Sequence, residues 1–261
     1  MTQREKAETL RSLHTAPELL VMVNVWDAAS ARTVAAVPGC RALATASWSI
    51  AAAHGLPDGE ALSRDVMLAA VERVATAVEL PVSADLERGY GATAVEVEET
   101  VTAAIAAGAV GCNLEDSEDD EVGPLRPAAE HADRVAAARA AGERAGVPLV
   151  INARTDAFLV GGGLEEAIER GRAYAIAGAD CIFVPGAPDA AAIEQLVAGI
   201  DAPISIFGHP GGPSLAELER LGVARVSVGP GTMGVAMAAL ARAAEALLAH
   251  EDLPPDLAFR P

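Results

Sequence analysis

Residues 94–116 read AVEVEETVTAAIAAGAVGCNLED, and the order of their parts decides the fold. Residues 94–107 place apolar side chains at helical spacing. Gly108-Ala109 follows as a step where glycine can end a helix in the left-handed conformation. Residues 110–114 are a short apolar run, and Glu115-Asp116 closes it with acids. Helix, corner, strand and polar strand end make one repeat of an alternating α/β fold.

Equivalent pieces recur along the chain. Apolar, β-rich runs at 20–25, 42–45, 80–84, 110–114, 148–152, 181–184, 203–207 and 225–228 predict eight strands. Ala-rich stretches of helical period predict helices at 65–78, 94–107, 128–145, 164–177, 190–198 and 214–221. The glycine step returns at Gly146-Val147, Gly178-Ala179 and Gly222-Val223. Regular alternation without a low-complexity linker predicts one α/β domain over residues 1–261, a single (β/α)8 TIM barrel, with an open doubly wound sheet as the alternative. Residues 233–250 read as an additional C-terminal helix, longer than barrel closure needs and free to pack on a partner subunit.

Composition narrows the function. Nineteen Lys and Arg against 37 Asp and Glu give a net charge of −18, which repels a phosphate backbone and an anionic membrane alike. Neither nucleic acid nor membrane is expected as a partner. Hydrophobic residues make up 51% but aromatics only 3%, so the core is built from Ala, Val, Leu and Ile. Cys40, Cys112 and Cys181 lack metal-ligand spacing and read as buried, reduced thiols, which suits the cytoplasm. Residues 1–14 mix acids and bases, and no run of 18 apolar residues occurs, so neither an export signal nor a membrane span is expected.

Reactive groups of such a barrel stand at the carboxyl ends of its strands. The first strand ends in Asn24, and the second leads into Ser47-Trp48. The third runs into Asp85-Leu86-Glu87-Arg88-Gly89-Tyr90-Gly91, the fourth into Asn113-Leu114-Glu115-Asp116 and the fifth into Asn152-Ala153-Arg154-Thr155-Asp156. Because side chains alternate along a strand, Asp85 and Glu87 share a face, as do Asn113 and Glu115, and Asn152 and Arg154. Carboxylates converging at one barrel mouth repel by about 4 kcal/mol per pair at ~4 Å and an effective dielectric near ~20, so a divalent cation is the natural compensation. Oxygen ligands without His or Cys favour Mg²⁺, or Mn²⁺, over zinc. The alternative is a set of solvated loop acids and ion-pair partners.

Arg154 offers a planar fork for a substrate carboxylate, or else a buried ion pair with Glu115 or Asp85. Main-chain amides around Ser47 and Trp48 precede a helix-like run at 49–54 and suit a second anionic group. His209, after the seventh strand, and Tyr90 are candidate proton donors, against the plainer reading of an exposed histidine and a structural tyrosine. The Gly229-Pro230-Gly231 turn stands where many barrels bind phosphate, or serves only as a turn. The acidic run from Glu115 to Glu121 either closes over the site or is solvated.

Five segments in order, residues 24–31, 44–58, Asp85-x-Glu87-x-Gly89-Tyr90-Gly91, Asn113 to Asp116 and Asn152 to Asp156, resemble the isocitrate lyase/phosphoenolpyruvate mutase superfamily over nearly the whole chain. The resemblance implies a Mg²⁺-dependent barrel that binds small 2-oxo acids and stabilises an enolpyruvate-like intermediate. It also implies a homo-oligomer, dimer or tetramer, that exchanges the C-terminal helix. By position, Asp85 is similar to the direct metal ligand, and Glu87 and Glu115 to acids that hold the metal directly or through water. Arg154 is similar to the substrate-binding arginine, Ser47 and Trp48 to the grip on the substrate carboxylate, and Asp58 to an acid near the gating region.

Departures matter as much. The family's carbon-carbon lyases carry a Lys-Lys-Cys-Gly-His motif after the fourth strand, where this chain has Glu118-Asp119-Asp120-Glu121-Val122-Gly123-Pro124. The missing cysteine argues against isocitrate or methylisocitrate cleavage. Phosphonopyruvate-forming mutases have Asp at the place of Glu87 and His where Val184-Pro185-Gly186 stands.

The expected protein is a cytoplasmic, Mg²⁺-dependent lyase or decarboxylase that breaks a carbon-carbon bond next to a small 2-oxo carboxylate. Decarboxylation ranks first because solvent can protonate the enolate without the absent cysteine. Arg154, Tyr90 and Glu115 are the catalytic candidates. Ser47, Trp48, Asp58, Arg154, Asn24 and His209 are the substrate-binding candidates, and Asp85, Glu87 and Glu115 the metal ligands. The alternatives are a phosphoenolpyruvate mutase or phosphonopyruvate hydrolase, and a non-catalytic 2-oxo acid binding protein.

Overall fold

Eight parallel strands close on themselves in sequence order: β1 (Leu20–Val25), β2 (Leu43–Thr45), β3 (Val82–Asp85), β4 (Gly111–Glu115), β5 (Val150–Arg154), β6 (Cys181–Phe183), β7 (Ile204–Phe207) and β8 (Arg225–Ser227). β8 pairs with β1, so no edge is left open. The expected (β/α)8 barrel is therefore the fold. The computed structural model describes residues 1–118, 123–254 and 256.

Around the barrel run α1 (Gln3–His14), α2 (Ala28–Ala35), α3 (Ser47–Ala53), α4 (Arg64–Ala77), α5 (Ala94–Ala106), α6 (Ala128–Ala145), α7 (Gly163–Ile176), α8 (Ala190–Gly199), α9 (Leu215–Arg220) and α10 (Gly231–Leu248). The six expected helices between strands lie within a residue of their places. Gly108 (φ 98°), Gly146 (66°), Gly178 (107°) and Gly222 (84°) are all left-handed at the helix-to-strand corners.

Strands β3, β4 and β5 run one or two residues beyond their expected ends, so Asp85, Glu115 and Arg154 are the last residues of strands. The apolar runs give out where the charged side chains Asp85, Glu115 and Arg154 begin. A barrel strand continues, because its end faces a polar mouth that supplies partners. Helix α1, which hydropathy does not announce, carries a capping box between Thr2 and Glu5. Its Leu10 packs against Gly111 at the start of β4, with Cδ2 2.9 Å from where a β-carbon would sit and the Val150 carbonyl at 3.0 Å, so α1 covers the amino end of the barrel closely there.

The core lies between barrel and helices and is aliphatic, with Val97 and Val101 of α5 and Val135 and Ala138 of α6 fully buried. All three cysteines are free. Cys112 and Cys181 are buried, their thiols pushed up to about 12 by burial, whereas Cys40 is only half-buried and so departs from expectation.

Helix α10 begins and ends two residues before the expected 233–250. Met233 is its buried residue, while Val235, Leu240, Leu247 and Leu248 are exposed. By length and composition alone it is the one helix among the described residues that could cross a bilayer, although Arg242 and Glu245 interrupt it. The expectation that no such stretch exists is corrected to that extent. The acidic run's expected gating role falls on residues 119–122, outside the described residues.

Candidate active site

A cavity of about 330 Å³ opens at the carboxyl ends of the strands. The arc from β1 to β5 lines it with Asn24, Ser47, Trp48, Asp58, Asp85, Asn113 and Arg154. The arc from β5 to β7 lines it with Leu159, Phe183, Pro185, Phe207 and His209. One side is polar and acidic, the other apolar.

Asp85 is set by its neighbours in β2 and α3. Its backbone N–H donates to Thr45 Oγ1 at 2.8 Å, and the Ser47 amide donates to its Oδ2 at 3.0 Å. The Ser47 amide expected to grip a substrate anion therefore holds Asp85. Asp58 stands nearby with its pKa raised, first by burial and then by the Asp85 charge, and its Oδ1 is a buried acceptor with no partner. Two adjacent carboxylates, one with an orphaned oxygen, fit a hard divalent cation.

The alternation rule that put Glu87 beside Asp85 fails beyond the strand. Glu87 and Tyr90 have left-handed backbones, φ 51° and 54°, so the chain coils on itself there. The Glu87 carboxylate accepts from the Glu60 amide and from the Tyr90 hydroxyl, each at 2.5 Å, and burial pushes its pKa up to about 7. Tyr90 is thus spent on Glu87, burial and that carboxylate raise its own pKa, and it does not line the cavity. This corrects its expected contact with the reacting atoms. The turn is held from outside by Arg134 of α6, which donates to the carbonyls of Arg88, Gly91 and Ala92 at 3.2, 2.9 and 2.6 Å.

Glu115 is engaged by Arg154, whose Nη1 lies 2.7 Å from its Oε2. Burial raises the Glu115 pKa against the pull of that guanidinium, and the acids around Arg154 raise the arginine's. Arg154 also chelates Asp156, Nε at 2.6 Å and Nη2 at 3.0 Å, and stands 5.9 Å from the Phe183 ring centroid. Among the described residues no three His, Cys, Asp or Glu side chains gather in a metal-holding group. Asp85 lines the cavity and the two glutamates do not, although both stand close enough for the Asp85 charge to raise their pKa values.

Asn24 lines the cavity, but its Oδ1 accepts from the amides of Val228 and Gly229 and its Nδ2 donates to the Thr45 carbonyl. These bonds tie β1 to β2 and β8. His209 is exposed at the rim, its ring stacked on Phe207 at 6.1 Å. Trp48 is half-exposed at the mouth.

Sequence reasoning missed three residues of the site's frame. Asp156 and Asp116 lie within quoted motifs, and their i+2 and i+1 spacing from Arg154 and Glu115 was the available signal. Glu60, with φ 62°, accepts from the Tyr90 amide at 2.7 Å and gave no signal beyond its closeness to Asp58. The apolar arc had none, because Phe183 and Phe207 end two different strands while Leu159 and Pro185 come from separate loops.

Known proteins share this frame. A crystal structure from Burkholderia cenocepacia J2315, provisionally named a phosphonomutase, is 46% identical, covering 93% of this chain and 98% of that one with a TM-score of 0.88. An oxaloacetate decarboxylase of Bradyrhizobium sp. strain BTAi1 is 32% identical over 87% of this chain and 79% of its own. A phosphonopyruvate hydrolase solved with oxalate and Mg²⁺ is 27% identical, covering 94% of this chain and 88% of its own with a TM-score of 0.85. The phosphoenolpyruvate phosphomutase family profile matches residues 10–248, and with the closed barrel and its acidic mouth this places the chain in that family, within the phosphoenolpyruvate mutase/isocitrate lyase superfamily.

Proposed function

We propose that this chain is a Mg²⁺-dependent decarboxylase or carbon-carbon lyase acting on a small, oxaloacetate-like 2-oxo acid. The observation that carries this reading is the cavity's asymmetry. Among the described residues that line it, Arg154 is the one Lys or Arg, and it sits on the acidic arc. A carboxylate directed at Leu159, Pro185 and Phe207, away from the Arg154 side of Phe183, loses its hydration without gaining a cation. Leaving as CO₂, it sheds that charge, so the apolar arc disfavours the ground state more than the transition state. A phosphonyl group keeps its charge throughout and finds no counter-charge there, which ranks the mutase and hydrolase readings second.

Arg154 supplies the head-group contact. Its five N–H donors include three already given to Glu115 and Asp156, which leaves two for a substrate carboxylate. Asp85 and Asp58 would hold the cation, with Glu87 and Glu115 acting through water. When bound, Mg²⁺ withdraws electrons from the 2-oxo oxygen. Trp48 and His209 flank the mouth through which solvent delivers the proton to the enolate carbon.

The test is pyruvate release from a panel of oxaloacetate, phosphonopyruvate and methylisocitrate with and without Mg²⁺. Turnover of oxaloacetate that EDTA removes is the expected result. Release of phosphate from phosphonopyruvate would favour the hydrolase, and thermal stabilisation by the acids without product would favour a binding protein.

We also propose that the exposed apolar face of α10 packs on another copy of the chain, since Met237, Leu240, Leu247 and Leu248 are exposed along one side of that helix and a contiguous apolar patch marks an interaction site. Sedimentation should give a dimer or tetramer that Leu240→Glu dissociates. A monomeric wild type refutes this. The free thiols suit a reducing, cytoplasmic setting.

A further inference from the structure

Asn113 lies on β4 directly beside Asp85 of β3, and its side chain lines the cavity. Its Oδ1 accepts from Asn152 Nδ2 at 2.7 Å and from Arg225 Nη2 at 3.4 Å. Two donors saturate a carbonyl oxygen. The opposite amide orientation would set an NH₂ group against two donors, one of them a guanidinium that is wholly buried and whose Nε and Nη1 have no other partner. Asn152 could turn its own amide, since its Oδ1 is buried without a partner, so it is the buried Arg225 guanidinium that selects the orientation: it holds Oδ1 inward and leaves Asn113 Nδ2 on the cavity side, where no described residue accepts from it. The charge of Arg225 behind the oxygen polarises the amide and strengthens that donor.

We propose that Asn113 is a substrate-binding residue whose amino group donates to an oxygen of the bound 2-oxo acid, with Asn152 and Arg225 as its positioning residues. The proposal rests on the reading of the cavity as a 2-oxo acid site. It adds to Arg154 a neutral donor on the adjacent strand, aimed at an oxygen that gains charge as the enolate forms.

Calorimetric titration with oxalate in the presence of Mg²⁺ tests it. Oxalate mimics the planar enolate of a 2-oxo acid. Asn113→Asp keeps an oxygen for Asn152 and Arg225 but turns the cavity donor into an acceptor, and Asn113→Ser removes the donor without adding charge. Both should fold, Asn113→Ser with a lower thermal midpoint because Arg225 and Asn152 lose their acceptor, and both should bind oxalate at least about tenfold more weakly. Arg225→Met, which fills the space of the arginine stem, should weaken binding less, and should add nothing when combined with Asn113→Ser. A crystal structure of the oxalate complex should place Asn113 Nδ2 within hydrogen-bonding distance of the ligand. If the wild type binds oxalate and both Asn113 variants bind within twofold of it, the role of Asn113 is overturned while the cavity's reading stands. If the wild type binds none, the reading itself falls and the proposal with it.

Discussion

Asp85→Ala is expected to lower turnover of oxaloacetate about a thousandfold or more while leaving the protein as stable as before, or more so. Removing one preorganised electrostatic contact at a developing oxyanion costs about two to three powers of ten, and the loss of Asp85 takes the cation with it. Its stability effect has the opposite sign because Asp58 lies close enough for the Asp85 charge to raise its pKa. Two like charges held together without a cation destabilise the fold, and removing one relieves the other. The bonds that Asp85 forfeits are few: the Ser47 amide loses an acceptor, while the backbone bond to Thr45 survives the substitution. Mg²⁺ should raise the wild type's thermal midpoint and leave that of Asp85→Ala unchanged. Pyruvate release, urea unfolding and melting with and without Mg²⁺ on both proteins measure all three effects. Retained turnover, or equal stabilisation of the two proteins by Mg²⁺, removes Asp85 from the metal site.

The barrel was legible because a parallel sheet buried on both faces writes its strands as plain apolar runs, and because glycine marks the corners. What escaped was local. Helix α1 and helix α2 carry end signals, Thr2 with Glu5 and Asp27 with Ser30, that hydropathy does not weigh. The site divides along the same line. Ser47, Trp48, Asp58, Asp85, Arg154 and His209 reach the cavity, as strand ends and the loops directly after them should. Glu87 and Tyr90 do not, because a left-handed backbone at a non-glycine residue leaves no mark in the sequence and cancels the alternation from which their direction was read. Asn24 shows a different limit: the residue type and place suit a ligand, but only coordinates reveal that its amide is used to close the barrel. The apolar arc, which decides between leaving groups in the proposed reaction, is assembled from β5, β6 and β7 and has no linear pattern at all.

Asp116 lies behind the site and carries the second large effect. It is fully buried, its Oδ2 accepting from the Tyr174 hydroxyl at 2.6 Å and lying 3.3 Å from Arg170 Nη1, and its Oδ1 accepting from the Asp156 amide at 2.9 Å. Breaking a buried ion pair by removing one partner costs about 3–5 kcal/mol. Arg170 keeps Glu166 and the Arg126 carbonyl, so Asp116→Ala should fall at the lower end, about 3 kcal/mol in urea unfolding. The same substitution frees the Asp156 amide, and Asp156 is what clasps Arg154 on two of its nitrogens. Arg154 should then meet the substrate carboxylate with a less fixed fork, so KM should rise about tenfold with a smaller change in kcat. Tyr174→Phe separates the two consequences. It removes one hydrogen bond to Oδ2 but leaves the Asp156 contact intact, so it should cost about 1–2 kcal/mol of stability with KM unchanged. If both variants raise KM in proportion to their loss of stability, Asp116 acts only by holding the fold. If Asp116→Ala alone raises it, the acid behind β4 sets the geometry of the arginine at the end of β5.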